Sequence, residues 1–336
     1  MLIDRGLNFG VGTIAEKAQQ IESDGFDGAW ATEIGHDPLV ILTAATSSTL
    51  RLELGTSIVV AFGRSPMITA TMANDVQLLS EGRLILGLGS QIKPHIEKRY
   101  SMPWSHPAAR MREYILALRA IWSCWNDGTR LAFRGEFYRH TLMTPFFSPG
   151  PNEFGPPKVF LAAVGQLMTE VAGEVADGLI VHPFTTERYL REVTLPALDR
   201  GLAKSGRDRS TFQISFTGMI VTGDTDEEHR ATSVEIRRQL AFYGSTPVYR
   251  GVLELHGWHD LQPRLNDLSR SGQWDQMAEL ISDDVLDAFS VVAEAEDVAT
   301  RIRARIGDVV DRFSIYETEN MNSEESRKIL LELRDL

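Results

Sequence analysis

The feature that most constrains this chain is a repeated hand-over from apolar strand to capped helix. An apolar stretch at 26–32 (FDGAWAT) runs into a short loop ending in Asp37-Pro38, and a second at 50–60 (LRLELGTSIVV) runs into Ser65-Pro66. Asp and Ser are good N-cap residues, and proline at the first helical position gives up an N–H that has no partner there. Asp24-Gly25 and Glu81-Gly82 stop the helices on either side of these units. Units of roughly 25–30 residues, strand then helix then strand, are the size of right-handed βαβ crossovers and imply a parallel sheet. Strands are expected at 2–7, 26–32, 50–60, 83–88, 158–163, 177–182, 212–221 and 312–316. Eight strands separated by helices make the fold class α/β and the architecture a closed (β/α)8 TIM barrel. A doubly wound open sheet is the other arrangement this periodicity permits.

Two stretches exceed what a barrel needs. Residues 91–157, after the fourth strand, open with the polar, basic and aromatic QIKPHIEKRYSMPWSHP. They continue through an amphipathic helix at 108–125 and close on the Pro/Gly-rich TPFFSPGPNEFGPP. They read as an insertion or lid on a single domain spanning 1–336. Residues 226–304, between strands seven and eight, read as a helical excursion broken at Gly244, Pro247, Gly257 and Gly272. The composition, 43% hydrophobic and 24% charged, supplies a large core. A net charge of −12 argues against nucleic acid or an anionic membrane as partner. A single cysteine, Cys124, rules out an internal disulfide, and it lies between tryptophans on a helix, as a core residue would. With no signal-like N-terminus and no bilayer-length apolar run, a soluble, cytoplasmic protein is expected.

In a parallel barrel, chemistry is done by the residues that follow the strands. Those are Glu33 and His36, residues 58–63, Gly87 to Gln91, Ala163 to Gln166, and His182 to Phe184. Ala163-Val164-Gly165-Gln166 leads straight into a helix, so it reads either as a phosphate cradle or as a tight turn with no ligand. Gly87-Leu88-Gly89-Ser90 lacks the third glycine of a dinucleotide fingerprint; it reads as a thin rim for a flat ring or as a glycine-softened strand end. His36, with an ordinary pKa of ~6.5, suits acid–base work or donation to an anionic ring, or is a surface histidine. Glu33 reads as an anchor for His36 or a salt-bridge partner. The run 241–260, with Tyr243, Tyr249, His256 and Trp258, is either a second wall of the site or an aromatic packing or dimer patch. No HExxH or CxxC supports a metal site, and nothing near Lys93 or Lys158 suggests a Schiff base.

Four blocks in order, FDGAWATEIGHDP, LELGTSIVVAFGRSP, LLSEGRLILGLGSQ and FLAAVGQLMTEVAGEVADGLIVHPF, resemble the luciferase-like flavin/deazaflavin oxidoreductase family over nearly the whole chain. The likeness is greatest to its coenzyme F420-dependent branch. The resemblance implies hydride transfer between the deazaflavin and an organic substrate, with the ring at the strand ends; the apolar and aromatic residues of the lid suit an apolar one. It places a non-proline cis peptide at Ser57–Ile58, ring-lining residues at Gly87, Gly89, Ser90 and Gln91, and a phosphate cradle at Ala163, Val164, Gly165 and Gln166. His182 joins the cofactor-binding set, His36 and Glu33 become the catalytic candidates, and a homodimer is implied. The rivals are an FMN-dependent monooxygenase of the same family and a non-catalytic flavin-binding barrel. One departure is visible: Ile92 stands where deazaflavin-dependent sugar-phosphate dehydrogenases carry a glutamate acid, leaving His95, Trp104 and His106 as substitutes.

Overall fold

The computed structural model describes residues 1–8, 13–318 and 323–336. Eight parallel strands close on themselves: β1 (Leu2–Gly6), β2 (Gly28–Ala31), β3 (Glu53–Thr56), β4 (Leu84–Gly89), β5 (Lys158–Ala163), β6 (Gly178–Val181), β7 (Gln213–Val221) and β8 (Arg312–Ile315). Each pairs with the next, and β8 pairs with β1, so the arrangement is the (β/α)8 barrel and not the open sheet. Strands such as GAWA, LILGLG and GLIV are buried along their whole length, because helices cover the outside and side chains fill the inside. The two expected N-caps form: Asp37 Oδ1 accepts from the Leu39 N–H and Ser65 Oγ from the Ile68 N–H.

The end of the barrel away from the strand C-termini is plugged by charge. Arg312 donates to both oxygens of Asp4, at 2.8 and 2.7 Å, and also pairs with Glu53, which Lys158 meets from outside at 3.3 Å. Above this plug Trp30, Ile85, Phe160 and Ile180 form an apolar column. Lys158 thus belongs to the closed end, not to chemistry.

The two long stretches resolve differently from their sequence reading. Within 91–157, helix Pro107–Asn126 packs between helices Pro66–Leu79 and Gln166–Val175 and is the barrel's own fourth helix. What is additional is the helix Lys93–Lys98 with its loop before it, and a hairpin, Phe133–Arg134 with Arg139–His140, after it. Glu113 ties that hairpin down by accepting from the backbone N–H groups of residues 136, 137 and 138. Within 226–304, five helices precede a short strand, Ser290–Val292, which pairs with the end of β7; helix Ala295–Ile306 then returns to the barrel. The helix expected after Thr186 passes through a π-helical turn, Leu190–Thr194, because Pro196 has no N–H to give to the carbonyl four residues back.

Candidate active site at the barrel mouth

Small residues stand toward the mouth on five of the strands: Gly6 on β1, Gly87 and Gly89 on β4, Ala162 on β5, Thr217 on β7 and Ser314 on β8. The hydroxyls of Thr217 and Ser314 bond each other at 2.8 Å. Beneath this rim Ile58 and Ala162, both half-buried, pack on the Trp30–Phe160–Ile180 column and form an apolar floor. The Ser57–Ile58 peptide is cis. The glycines of β4 admit close neighbours: a Cβ on Gly89 would lie 2.8 Å from the Ile58 side chain, and one on Gly87 would lie 1.8 Å from the Thr56 carbonyl oxygen. Thr56 Oγ1 donates to the Gly87 carbonyl and accepts from the Gly87 N–H, locking β3 to β4 here.

The loop after β2 is held by ions. Glu33 accepts from the Val60 N–H at 2.8 Å, from Arg64 on both oxygens at 2.9 and 2.8 Å, and from the Tyr100 hydroxyl at 2.7 Å. Arg64 reaches Asp37 as well, at 2.6 Å. The lone pairs of Glu33 are engaged and its side chain is only 7% exposed, so its contacts are those of a residue that holds the loop. It is the salt-bridge partner of Arg64. His36 lies exposed on that loop, at the strand-end face. Neither Arg64 nor Tyr100 was singled out from sequence; Arg64 sits in the GRSP turn, where only the serine and proline had a local signature.

At the next edge, Gly165 caps helix Gln166–Val175 without any side-chain hydrogen bond, and Gly165, Gln166 and Leu167 are exposed. The first-turn N–H groups of this helix have no capping side chain. Arg200, from the following helix, donates to Gln166 Oε1 at 3.3 Å and pairs with Glu170 at 3.2 Å, and the Tyr189 hydroxyl donates to the Val164 carbonyl at 3.3 Å. Arg200 and Tyr189 also went unnoticed in the sequence, where they are one arginine and one tyrosine of an amphipathic helix.

His182 follows β6 and turns inward under the helical excursion. Its Nδ1 accepts from the Phe184 N–H at 3.0 Å, and its Nε2 lies 3.0 Å from the Tyr249 hydroxyl oxygen. Tyr249 stacks on the imidazole at 4.6 Å and Tyr243 meets its edge at 4.8 Å. Burial pushes the His182 pKa down to about 4 and that of Tyr249 up to about 12. His256 and Trp258 stack on each other at 4.6 Å, and His256 Nε2 meets the Thr186 hydroxyl at 2.8 Å. Tyr243 and Tyr249 border His182, and together with Trp258 they pack against a second hydrophobic core built on Phe184, Phe289 and the excursion helices.

A model of the luciferase-like monooxygenase family matches residues 5–312. The chain belongs to that family. Within it, the chain is 56% identical over 298 residues to an uncharacterized protein of Mycobacterium tuberculosis, covering 89% of this chain and 88% of that one. It is 28% identical over 289 residues to the 5,10-methylenetetrahydromethanopterin reductase of Archaeoglobus fulgidus, covering 84% and 82%. The coenzyme F420-dependent tetrahydromethanopterin reductase of Methanopyrus kandleri has the same fold, with a TM-score of 0.79 at 19% identity over 98% of this chain and 96% of that one.

In this luciferase-like barrel the stretch after β4 turns sharply. Gln91 takes the left-handed conformation (φ 59°), and its Oε1 accepts from the Ile92 N–H; Ser90 Oγ donates to the Gln91 carbonyl. Of the three residues considered as substitutes for the missing glutamate, Trp104 is engaged in packing against Phe62 at 5.8 Å. His95 and His106 are exposed, and His106 packs on Phe137 at 6.0 Å. Arg110 fixes this segment, donating to the Pro103 carbonyl at 2.6 Å and to Tyr138 at 2.8 Å, with its guanidinium 4.3 Å from the Phe62 ring centroid. Among the described residues no cluster of His, Cys, Asp or Glu is arranged to hold a metal, and no helix is long and apolar enough to cross a membrane.

Proposed function

We propose that this luciferase-like protein is an oxidoreductase that moves a hydride between coenzyme F420 and a small apolar organic substrate. The observation that carries the reading is the apolar floor of Ile58 and Ala162, bordered by small residues of β1, β4, β7 and β8 and flanked by an uncapped helix N-terminus. A flat ring suits the floor, and a phosphate on its side chain suits the helix N-terminus, where the N–H dipoles favour an anion. When bound, the deazaflavin supplies a ring carbon, at the flavin N5 position, that gives or takes the hydride. Ser57, Ile58, Gly87, Gly89, Ser90 and Gln91 border the ring; Ala163, Val164, Gly165 and Gln166 hold the phosphate; His182 borders the ring from the β6 side. His36 stabilises charge on the ring or relays a proton from the rim loop, and Glu33 with Arg64 keeps that loop in register. The deazaflavin is preferred to FMN because relatives across this range are named as reductases of methanopterin substrates or as F420-dependent enzymes.

The family's monooxygenase name supports the FMN reading, in which reduced flavin and oxygen replace the deazaflavin. Anaerobic assays separate the two. With reduced deazaflavin and a panel of aldehydes, ketones and enones, the deazaflavin absorbance should return without oxygen. Turnover that requires oxygen and reduced FMN would replace the reading with the monooxygenase; tight binding of either cofactor with no turnover under any condition would favour a non-catalytic barrel.

The homodimer is supported by Val40, Ile68 and Leu79, exposed on the adjacent helices Pro38–Thr46 and Pro66–Leu79. The first of these, PLVILTAAT, is apolar nearly all round, as a helix buried on both sides is.

A further inference from the structure

The Tyr249 hydroxyl is held in a way that fixes where its hydrogen can point. His182 Nδ1 accepts from the Phe184 backbone N–H, so that nitrogen carries no proton. The neutral imidazole must then carry its proton on Nε2 and donate it to the Tyr249 oxygen, 3.0 Å away. The lone-pair side of that oxygen is used, and the tyrosine's own hydrogen is left for another acceptor. Among the described residues His182 is the one hydrogen-bond partner of this hydroxyl. The ring is held in place by its stack on His182 at 4.6 Å and by Phe184 at 5.6 Å. Both residues are half-buried, at the strand-end face beside β6.

We infer that Tyr249 donates a hydrogen bond to an acceptor oxygen of the substrate, a carbonyl oxygen in the direction of hydride addition, and that His182 is the positioning residue that aims it. This inference rests on the reading that an organic substrate lies over the mouth. Tyr249 acts by donating and not by giving up its proton. Burial holds its phenol well above neutrality, and His182 cannot resupply a proton without becoming an imidazolate. A fixed donor aimed at a carbonyl oxygen also stabilises the negative charge that develops there when a hydride arrives at carbon.

The test is the C=O stretch of carbonyl-13C benzaldehyde bound to the protein, with and without oxidised deazaflavin. In the wild type the band should move to lower frequency than in hexane. In Tyr249→Phe, which keeps the stacked ring, the shift should vanish and the dissociation constant rise about fivefold. His182→Phe should weaken the shift and His182→Gln restore part of it, since the amide N–H can replace Nε2–H; a merely structural role for His182 would leave the band unmoved in both. An unchanged band and affinity in Tyr249→Phe, or no binding of the probe to the wild type, overturns the inference. A band shift lost in Tyr249→Phe without hydride turnover on any cofactor would sink the proposed function alone. Turnover with unaltered kcat/KM and an unmoved band in Tyr249→Phe would sink this inference alone.

Discussion

Arg64 shows how much of the mouth depends on one side chain. It neutralises Glu33 and Asp37 together, and Glu33 in turn orients the backbone that follows the Ser57–Ile58 peptide through the Val60 N–H. Arg64→Met should cost about 3–5 kcal/mol, because it leaves a nearly buried carboxylate without its cation. Adding Glu33→Gln should recover part of that loss; urea unfolding of the single and double variants measures both. His182 offers a pH test. Its folded pKa of about 4 lies below its ordinary 6.5, so the unfolded chain binds the extra proton first. Its contribution is complete above pH 6.5 and is lost as pH falls toward 4, by about 3 kcal/mol. His182→Gln lacks this titration, so the stability gap between wild type and variant should close over that range; parallel curves would contradict it. At this scale the sequence was only partly legible. Asp37 and Ser65 announced themselves as caps because capping is local. The partnership of Glu33 with Arg64, 31 residues on, and with Tyr100, 67 residues on, has no local pattern, so from sequence Glu33 read either as an anchor for His36 or as a salt-bridge partner.

At the scale of elements, apolar runs bounded by glycine and proline located all eight barrel strands, and β5 matched residue for residue. Two readings differed for stated reasons. Helix Pro107–Asn126 has the same amphipathic pattern whether it serves as lid or barrel wall, and only packing tells them apart. Ser290–Val292 is too short to rise above the helical residues on either side, and it exists because β7 extends beyond its barrel partners and offers an edge. The glycines of the mouth separate packing from binding. Gly87→Ala places a Cβ against the Thr56 carbonyl and should destabilise the protein by about 1–3 kcal/mol. Gly165→Ala meets no atom within 4 Å, at an ordinary backbone conformation, and should leave stability within about 0.5 kcal/mol. The same substitution should weaken deazaflavin binding. Thermal unfolding alongside cofactor titration checks the pair, and equal loss of stability at both sites would contradict the assignment of Gly165 to the phosphate.

At the scale of the whole molecule, the barrel has a charged, filled end and an apolar, small-residue end, and the strand-end rule makes the second the candidate active face. Closure was beyond periodicity; it rests on β8 meeting β1 and β7 meeting β6, pairings that only the folded chain displays. The exposed apolar face on the second and third barrel helices gives a further expectation. Val40→Glu with Ile68→Glu should convert a dimer into monomers by analytical ultracentrifugation, while a wild-type protein that sediments as a monomer would remove the homodimer. The central claim is that the mouth takes a deazaflavin, and fluorescence titration tests it most directly. Coenzyme F420 added to the purified protein should show saturable quenching, weakened in Gly165→Ala and not displaced by equimolar FMN. Tight FMN binding with no quenching of F420 would contradict it.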